Sequence, residues 1–347
     1  MKKRTVKHIC AAIAVFVAAA VCLTMVGYRA AGCFPIIDDT ALAAGYMSFS
    51  NGSLYQPATE APVAVSRPLA PVVEHAPAPS ERPTQPSRSG VTYPVVETHI
   101  TEGDISYGDV TISNSTPIEP DIAALLAAEL PFTLEDNHTV QVLIYHTHTC
   151  ESYMTEDTGE YDADFYPRST DGSQGVIAVG DRIAEELKAH GIGVVHDTTV
   201  HDDTYDGSYG RSRSTVEKYL EKYPGIKVTL DIHRDSMTND AGTKYKPTFT
   251  YQGVKAAQIM IMSGYDEEGE FPFWDENLIF AVQLQQACEE LYPGMTRPLY
   301  FGEFKYNMNI NNGSLLIEVG TDANTVEEAG RTGEFLANAL SSVLQKG

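Results

Sequence analysis

Apolar segments of strand length alternate with segments of helical periodicity from Val140 to the C-terminus, and this alternation constrains the fold more than any other feature. Apolar residues recur at helical spacing from Val176 to Leu187, Gly191 ends that pattern, and the next residues are again apolar. Such alternation predicts an α/β fold, a single domain with a mostly parallel or mixed central sheet flanked by helices. Further strands are predicted at 140–148, 227–232, 257–262 and 315–319. Further helices are predicted at 214–223, at 275–292 and at the C-terminus. Ser214 and Glu217 are predicted to cap the first of these helices, and Thr325 and Glu328 the last.

The N-terminal segment has a different character. Residues 8–28 carry no formal charge and are long enough to cross a bilayer as a helix, while a basic cluster in the first seven residues places that end in the cytoplasm. The apolar run exceeds a usual signal-peptide core, so we predict an uncleaved, single-pass anchor in the cell membrane at residues 1–30, with the remainder of the chain extracytoplasmic. Lipidation of Cys33 in the Ala31-Gly32-Cys33 segment remains an alternative.

A linker and a short lead-in are predicted between the anchor and the catalytic domain. Prolines accumulate between Tyr55 and Pro94 while hydrophobic periodicity disappears, so residues 31–94 are predicted to be a disordered tether. Residues 95–135 alternate apolar and polar positions and then read as a short helix, which predicts a β-like and helical lead-in. The catalytic domain is assigned to residues 136–347.

Charge and cysteine content limit the function classes. The formal net charge is −23, and an acidic surface of this kind argues against nucleic acid as a partner. Only Cys150 and Cys288 fall in the globular part, and their spacing does not describe a disulfide framework. Nothing nearby lowers the pKa of Cys150, so we interpret it as a small residue beside the site, with a ligand or nucleophile role as the alternative.

Ionisable residues follow or interrupt three of the predicted strands, and together they suggest a zinc site. His146, His148 and Glu151 follow the first strand; if that strand continues to His148, the two histidines point to one face and Glu151 folds back from the loop. His233 follows the second strand. Glu318 lies inside an apolar strand, where an ionised carboxylate is costly unless it is paired, bound to metal or catalytic. Two histidines and one carboxylate make a three-ligand zinc site with an open fourth position, leaving the other carboxylate as proton acceptor.

Three motifs resemble one known family. The segments Leu143–Tyr153, Asp231–Asp235 and Asn309–Gly320 are similar to the stage II sporulation protein P family, which is related to zinc-dependent N-acetylmuramoyl-L-alanine amidases. The resemblance implies a peptidoglycan hydrolase that cleaves the amide between N-acetylmuramic acid and L-alanine of the stem peptide, with cross-link endopeptidase activity as a second possibility. It also implies action in forespore engulfment, from the mother-cell membrane facing the forespore, with the companion sporulation proteins D and M as partners.

The resemblance also implies roles for individual residues. Zinc is expected on His148, Glu151 and His233, with Glu318 as the catalytic glutamate. His146 remains an alternative ligand or a residue that supports the ligands. In the wider amidases the glutamate ligand opens the following helix, but this chain has no glutamate near Gln174 and Gly175, so Glu151 is the nearest substitute.

Substrate-binding residues are predicted beside this centre. Arg234 is expected to bind a stem-peptide carboxylate, with pairing to Asp235 as the alternative. Asn309, Asn311 and Asn312 are expected to hydrogen-bond sugar or peptide amides, with a turn before the last strand as the alternative. Two other functions remain open, a non-catalytic wall-binding scaffold and a zinc-dependent glycan deacetylase.

Overall fold

The computed structural model describes residues 90–135 and 139–345, so the predicted anchor and all of the predicted linker up to residue 89 lie outside the described residues. Among the helices in those two ranges, none is both long and apolar enough to cross a bilayer. The strands are β1 (Thr92–Thr98), β2 (Ile105–Tyr107), β3 (Val110–Asn114), β4 (Val140–Tyr145), β5 (Glu160–Asp162), β6 (Gly193–His196), β7 (Val228–Asp235), β8 (Lys244–Tyr251), β9 (Val254–Ala257), β10 (Ile259–Gly264), β11 (Leu299–Gly302) and β12 (Ser314–Thr321). The α-helices are α1 (Ile122–Ala127), α2 (Val176–Ala189), α3 (Ser208–Lys222), α4 (Trp274–Leu291) and α5 (Val326–Leu344).

An eight-stranded mixed sheet forms the centre, with strand order β2-β3-β11-β10-β12-β7-β4-β6. Strands β6, β4, β7 and β12 run parallel to one another, and β10 pairs antiparallel with β12. On the other side of that reversal, β10, β11 and β3 are again parallel, and β2 closes the edge antiparallel to β3. The prediction of a mixed α/β domain with a central sheet and flanking helices is confirmed.

Residues 95–135 contribute to both sheets of the domain. Strands β2 and β3 belong to the central sheet, whereas β1 joins a smaller four-stranded sheet of order β5-β1-β8-β9. In that smaller sheet β1 runs parallel to β8 and antiparallel to β5.

The two faces of the central sheet bury different residues, because successive side chains in a strand point to opposite sides. On β4, Val142 and Ile144 belong to the main apolar core with residues of α2, α4 and α5. Leu143 and Tyr145 instead pack with Val216 of α3 in a second cluster. The same alternation continues on the neighbouring strands, where the main core takes Leu230, Ile232, Ile317 and Val319. Asp231, His233 and Glu318 consequently lie on the α3 face of the sheet.

Two local predictions have opposite outcomes. The C-terminal helix α5 begins with the predicted capping box, in which the Thr325 hydroxyl accepts from the Glu328 backbone N–H and the Glu328 side chain accepts from Thr325. The Ser214 cap is wrong. Helix α3 begins at Ser208, and the Ser214 hydroxyl donates to the Gly210 carbonyl at 3.0 Å. Inside a helix a serine satisfies its hydroxyl on the carbonyl four residues earlier, so the same sequence pattern arises without a helix start.

The first predicted strand is shorter than expected. Strand β4 ends at Tyr145, and the chain turns immediately, with the Glu151 backbone N–H donating to the His148 carbonyl. The Thr147 N–H leaves the ladder and donates instead to the Asp231 side chain at 2.8 Å. The strand alternation therefore stops before His146, and the expectation that His146 and His148 share one strand face is wrong.

Candidate active site

Strand pairing brings His233 and Glu318 together. They are register partners on the parallel strands β7 and β12, so their side chains leave the sheet side by side. Both residues lie inside their strands, since β7 continues to Asp235 and β12 to Thr321. The expectation that His233 follows its strand is therefore corrected, while the predicted closeness of His233 and Glu318 is seen directly in the register.

His233 is buried and lies between carboxylates. Its Nε2 atom is 2.9 Å from Oδ1 of Asp231, although the N–H is not aligned for a hydrogen bond, and its Nδ1 atom is 3.5 Å from Oε2 of Glu151. Burial alone lowers the pKa of His233, but the negative charges of Asp231, Glu151 and Glu318 outweigh it and raise the pKa to about 10. The surroundings of this imidazole therefore favour a positive charge.

His148 occupies the same cluster from the turn after β4. Its ring centroid lies 5.2 Å from that of His233, it stacks on Tyr205 at 4.7 Å, and Tyr209 meets it edge-on at 5.6 Å. Its Nδ1 atom is buried without a hydrogen-bond partner and lies 3.7 Å from Oδ2 of Asp202. Burial, together with the nearby positive charge of His233, lowers the pKa of His148 to about 3. A neutral imidazole of this kind is the form that binds a metal ion.

Glu151 is fixed by Arg234. Oε2 of Glu151 accepts from the Arg234 backbone N–H at 3.1 Å, and Oε1 lies 3.6 Å from Nη1 of the same residue. The Arg234 guanidinium is buried and donates to the carbonyls of Ser152 and Pro167 at 3.3 and 2.7 Å. The Arg234 guanidinium therefore contacts Glu151 and two backbone carbonyls of the protein. Its alternative partner Asp235 pairs instead with Arg297 at 2.8 Å.

Glu318 carries an oxygen that has no partner. The residue is partly buried, and its Oε2 atom is shielded from solvent without a hydrogen bond. Burial, with the charges of Asp235 and Glu151, raises the pKa of Glu318 to about 8 against the opposing effects of His233 and Arg297. A carboxyl group with a pKa near neutrality is suited to accept and return a proton.

His146 lies elsewhere, among α2, β6 and β7. Its Nδ1 atom is 2.8 Å from the Ile232 carbonyl oxygen, and its Nε2 atom is 2.8 Å from Nε2 of His196. His196 in turn contacts Asp181 of α2 through Nδ1 at 3.0 Å. Both ring nitrogens of His146 therefore have protein partners away from His148 and His233.

The three asparagines lie at the opposite end of β12. Asn311 accepts through Oδ1 from the Gly313 N–H and the Ser314 hydroxyl, and Asn312 donates to Pro131 and Glu276. Asn309 accepts from Arg213 and donates to the Glu270 carbonyl. Strand β12 begins at Ser314, four residues before Glu318, which at about 3.3 Å per residue corresponds to roughly 13 Å. None of these hydrogen bonds is to His148 or His233, and those of Asn311 and Asn312 are typical of the turn that sequence reasoning kept as the alternative.

The donors fit zinc in type, but they do not form a complete set in space. Within residues 90–135 and 139–345, no group of three or more His, Cys, Asp or Glu side chains is arranged to hold a metal ion. Two donors on one tetrahedral zinc, each at about 2.0–2.1 Å, lie about 3.3–3.4 Å apart, close to the 3.5 Å between His233 Nδ1 and Glu151 Oε2. The unpartnered atoms of His148 and Glu318 lie in the same region. The donor chemistry and the spacing of this one pair are therefore compatible with zinc.

Three buried polar residues of this region, Thr147, Asp202 and Asp231, were not predicted. Asp231 accepts from both the backbone N–H and the hydroxyl of Thr147, at 2.8 and 2.6 Å, and Asp202 accepts from the Cys150 N–H at 3.1 Å. The position of Asp231, two residues before His233, was the available signal, since strand residues two apart share a face. Cys150 and Cys288 are free, and burial followed by the charge of Asp202 raises the pKa of Cys150 to about 12, in line with its interpretation as an unreactive residue.

Two solved structures show a weak likeness to this chain. The amidase AmiC2 of Nostoc punctiforme is 15% identical with a TM-score of 0.35, over 60% of this chain and 96% of that chain. The CwlD amidase of Clostridioides difficile, solved with the GerS lipoprotein, is 13% identical with a TM-score of 0.37, over 59% of this chain and 97% of that chain. Both likenesses are weak, so family membership comes from the sequence comparisons.

The sequence comparisons agree with each other. Stage II sporulation protein P of Bacillus subtilis (strain 168) is 29% identical in an alignment of 214 positions that covers 58% of this chain, and the chain spans about half the length of that curated relative. The sequence model described as Stage II sporulation protein P (SpoIIP) matches residues 90–341, most of the chain and nearly all of its described part. The resemblance of the three motifs is confirmed, and this chain belongs to the stage II sporulation protein P family.

Proposed function

We propose that this chain is a zinc-dependent peptidoglycan hydrolase that cleaves the amide bond between N-acetylmuramic acid and the L-alanine of the stem peptide. The observation that supports this most is the placement of Glu318. It is the cross-strand neighbour of His233, its Oε2 atom is shielded and unpartnered, and a buried polar atom in that state is costly unless a ligand or substrate uses it.

Zinc would be held by His148, Glu151 and His233. These side chains supply the imidazole and carboxylate donors that zinc prefers, and zinc when bound provides Lewis acidity at the scissile carbonyl. His148 is favoured over His146 because both ring nitrogens of His146 are already engaged, by Ile232 and His196. The excess of carboxylates around His233 supports cation binding at this position.

The chain's own residues have separate tasks in the hydrolysis. Glu318 takes a proton from the attacking water at its carboxylate and returns it to the leaving amine of L-alanine. Arg234 holds Glu151 through its backbone N–H and guanidinium, so that the carboxylate faces His233. Tyr205 and Tyr209 pack against His148 and restrict its ring. This scheme uses Arg234 to position a ligand, in place of the predicted contact with a stem-peptide carboxylate.

The biological setting follows as part of the same proposal. Family membership supports action during sporulation, and we propose that the protein serves forespore engulfment from the mother-cell membrane, with the companion proteins D and M as partners. The N-terminal anchor predicted at residues 1–30 would hold the catalytic domain outside that membrane. Cross-link endopeptidase activity is included as a second reaction of the same centre.

Digestion of purified cell wall tests the proposal. Full-length protein should release stem peptides with a free L-alanine amino group, and His233→Ala and Glu318→Ala variants should not. Release at the wild-type rate by both variants would contradict the mechanism. Tight wall binding without release would indicate the scaffold, and acetate loss without freed peptides would indicate the deacetylase.

A further inference from the structure

Asp231 is a buried carboxylate with a fixed orientation. It is inaccessible to solvent, and Thr147 donates to both of its oxygens, through the backbone N–H to Oδ1 at 2.8 Å and through the hydroxyl to Oδ2 at 2.6 Å. Two bonds from one residue determine the plane of the carboxylate. The Oδ1 atom that receives the backbone bond also lies 2.9 Å from Nε2 of His233.

The other nitrogen of His233 faces a different group. Nδ1 lies 3.5 Å from Oε2 of Glu151, the spacing of two donors on one tetrahedral zinc. Because Nε2 lies beside the Asp231 carboxylate, the ring presents its other nitrogen, Nδ1, to Glu151. Histidines that bind metals are commonly oriented in this way by a carboxylate on the second ring nitrogen.

We propose that Asp231, clamped by Thr147, is a positioning residue that holds the Nε2 edge of the His233 ring and directs Nδ1 toward the cation site. The role rests on the proposed zinc site and adds to it two residues that the site prediction did not contain. Asp231 itself does not bind the metal or the substrate in this scheme. Its effect passes entirely through the orientation of His233.

The clamp is supported from a strained loop. Oγ of Ser212 lies 2.7 Å from the Thr147 hydroxyl and accepts from Nδ2 of Asn307 at 3.0 Å. Asn307 and the preceding Tyr306 have φ values of 60° and 37°, a left-handed conformation that non-glycine residues rarely adopt. Backbone strain of this kind persists only where surrounding contacts hold it. Hydrogen bonds thus connect this loop through Asn307, Ser212 and Thr147 to Asp231.

The structure contains a matched control for this arrangement. Asp197 is also buried, accepts from the Thr199 hydroxyl at 2.9 Å and lies 3.8 Å from Nε2 of His201. His201 has no part in the proposed zinc site, because its ring nitrogens contact the His146 carbonyl and the Thr215 hydroxyl. Asp197→Asn therefore changes a buried carboxylate that also lies between a threonine hydroxyl and a histidine, and it leaves the contacts of His233 in place.

Zinc affinity of full-length protein, measured by competition with a chromophoric chelator, tests the role. Asp231→Asn should weaken zinc binding by roughly 10–100-fold, the usual effect of losing such a supporting carboxylate. Thr147→Val, which loses the hydroxyl, should weaken it less. Thr147→Ser, which keeps the hydroxyl, and Asp197→Asn should stay within about twofold of wild type.

Nitrogen NMR of the histidine rings in the zinc-loaded protein provides a readout that a general packing defect does not change. Wild type should bind zinc through Nδ1 of His233 and carry the ring proton on Nε2, and Asp231→Asn should show a mixture of Nδ1-bound and Nε2-bound rings. Unchanged affinity and ring protonation in Asp231→Asn, or an equal loss in Asp197→Asn, would overturn the positioning role while leaving the zinc site intact. If wild type binds no zinc, the proposed zinc site fails, and the positioning role fails with it.

Discussion

Two groups of buried histidines, one containing His146 and the other His148, differ in whether their polar atoms have hydrogen-bond partners. In the His146–His196 pair, the ring nitrogens contact the Ile232 carbonyl, each other and Asp181. In the His148–His233 cluster, which includes Glu151 and Glu318, atoms of both histidines and of Glu318 are buried without a hydrogen bond.

The difference teaches that spacing alone does not identify a ligand. His146 and His148 are two residues apart, yet one completes a structural pair and the other enters a cluster with unsatisfied donors. Buried polar groups that are fully hydrogen-bonded are typical of the folded core, whereas each unsatisfied one needs an explanation such as a bound ion, ligand or water. The histidine pair should therefore matter for stability, and the cluster for zinc and catalysis.

Zinc content gives the largest expected contrast. His148→Ala should reduce bound zinc after dialysis from about one per chain to almost none, because it removes a ligand of a three-ligand site. His146→Ala should retain the metal, since its nitrogens contact only protein. Elemental analysis of folded protein measures both. Loss of zinc in His146→Ala with retention in His148→Ala would reverse the assignment.

Gly180→Ala should destabilise the fold around the His146–His196 pair and leave the His148–His233 cluster unchanged. An added Cβ would lie 2.4 Å from Nε2 of His196 and 2.9 Å from Nε2 of His146, so the pair must shift. Overpacking of this kind costs roughly 1–3 kcal/mol of unfolding free energy. Denaturant unfolding measures the loss, and zinc affinity should stay unchanged.

Gly210→Ala is the matched control for that substitution. An added Cβ at Gly210 of α3 meets no heavy atom within 4 Å. Because alanine is the better helix former, the variant should gain about 0.5–1 kcal/mol of unfolding free energy. If Gly210→Ala lost as much unfolding free energy as Gly180→Ala, the close packing of Gly180 against His146 and His196 would not explain the effect.

Glu318→Gln should stabilise the zinc-free protein while abolishing hydrolysis. The pKa of Glu318 in the folded protein is about 8, above the usual 4.5, so the folded state holds its proton more tightly than the unfolded state. The stability contributed by that proton is complete below pH 4.5 and is lost as the pH rises through 8. The variant should therefore unfold at a higher temperature than wild type, with a larger difference at pH 8 than at pH 5.

Thermal unfolding followed by circular dichroism at those two pH values measures the effect. The exposed Glu221→Gln variant should match wild type at both. A Glu318→Gln variant that is less stable than wild type at pH 8 would show that the carboxylate is held favourably in its charged form.

Asn312→Ala should have the smallest effect on hydrolysis. Its side chain donates to the Pro131 carbonyl at 3.0 Å and to Glu276 at 2.7 Å, at the end of β12 away from Glu318. Removing these bonds should cost about 1 kcal/mol of stability and leave peptide release unchanged. A tenfold or greater loss of release in folded protein would restore the predicted substrate-binding role.

Sequence periodicity was sufficient to predict the mixed α/β class and several of its elements, because those strands and helices bury continuous apolar patterns, whereas the strand order and the second sheet were not predicted. The positions of α2, α5 and β12 follow from such patterns, and strand pairing then places Glu318 beside His233. The family match agrees with the three motifs from which the resemblance was drawn.

The finer arrangement of the site depended on tertiary contacts that no local pattern encodes. Strand β4 ends at Tyr145 because Thr147 bonds to Asp231, a residue 84 positions away, and this separates His146 from His148. Arg234 contacts Glu151 and two carbonyls, which become its neighbours only in the folded chain. The residues that orient a site therefore required the structure, whereas the residues proposed to do the chemistry were visible in the sequence.

Digestion of purified peptidoglycan by the full-length protein, with and without a chelator, tests the central claim most directly. The proposal predicts that the chelator stops peptide release, that added zinc restores it, and that the products are glycan strands with intact N-acetyl groups and stem peptides that begin with free L-alanine. Undiminished release of the same peptides after complete removal of zinc would contradict it.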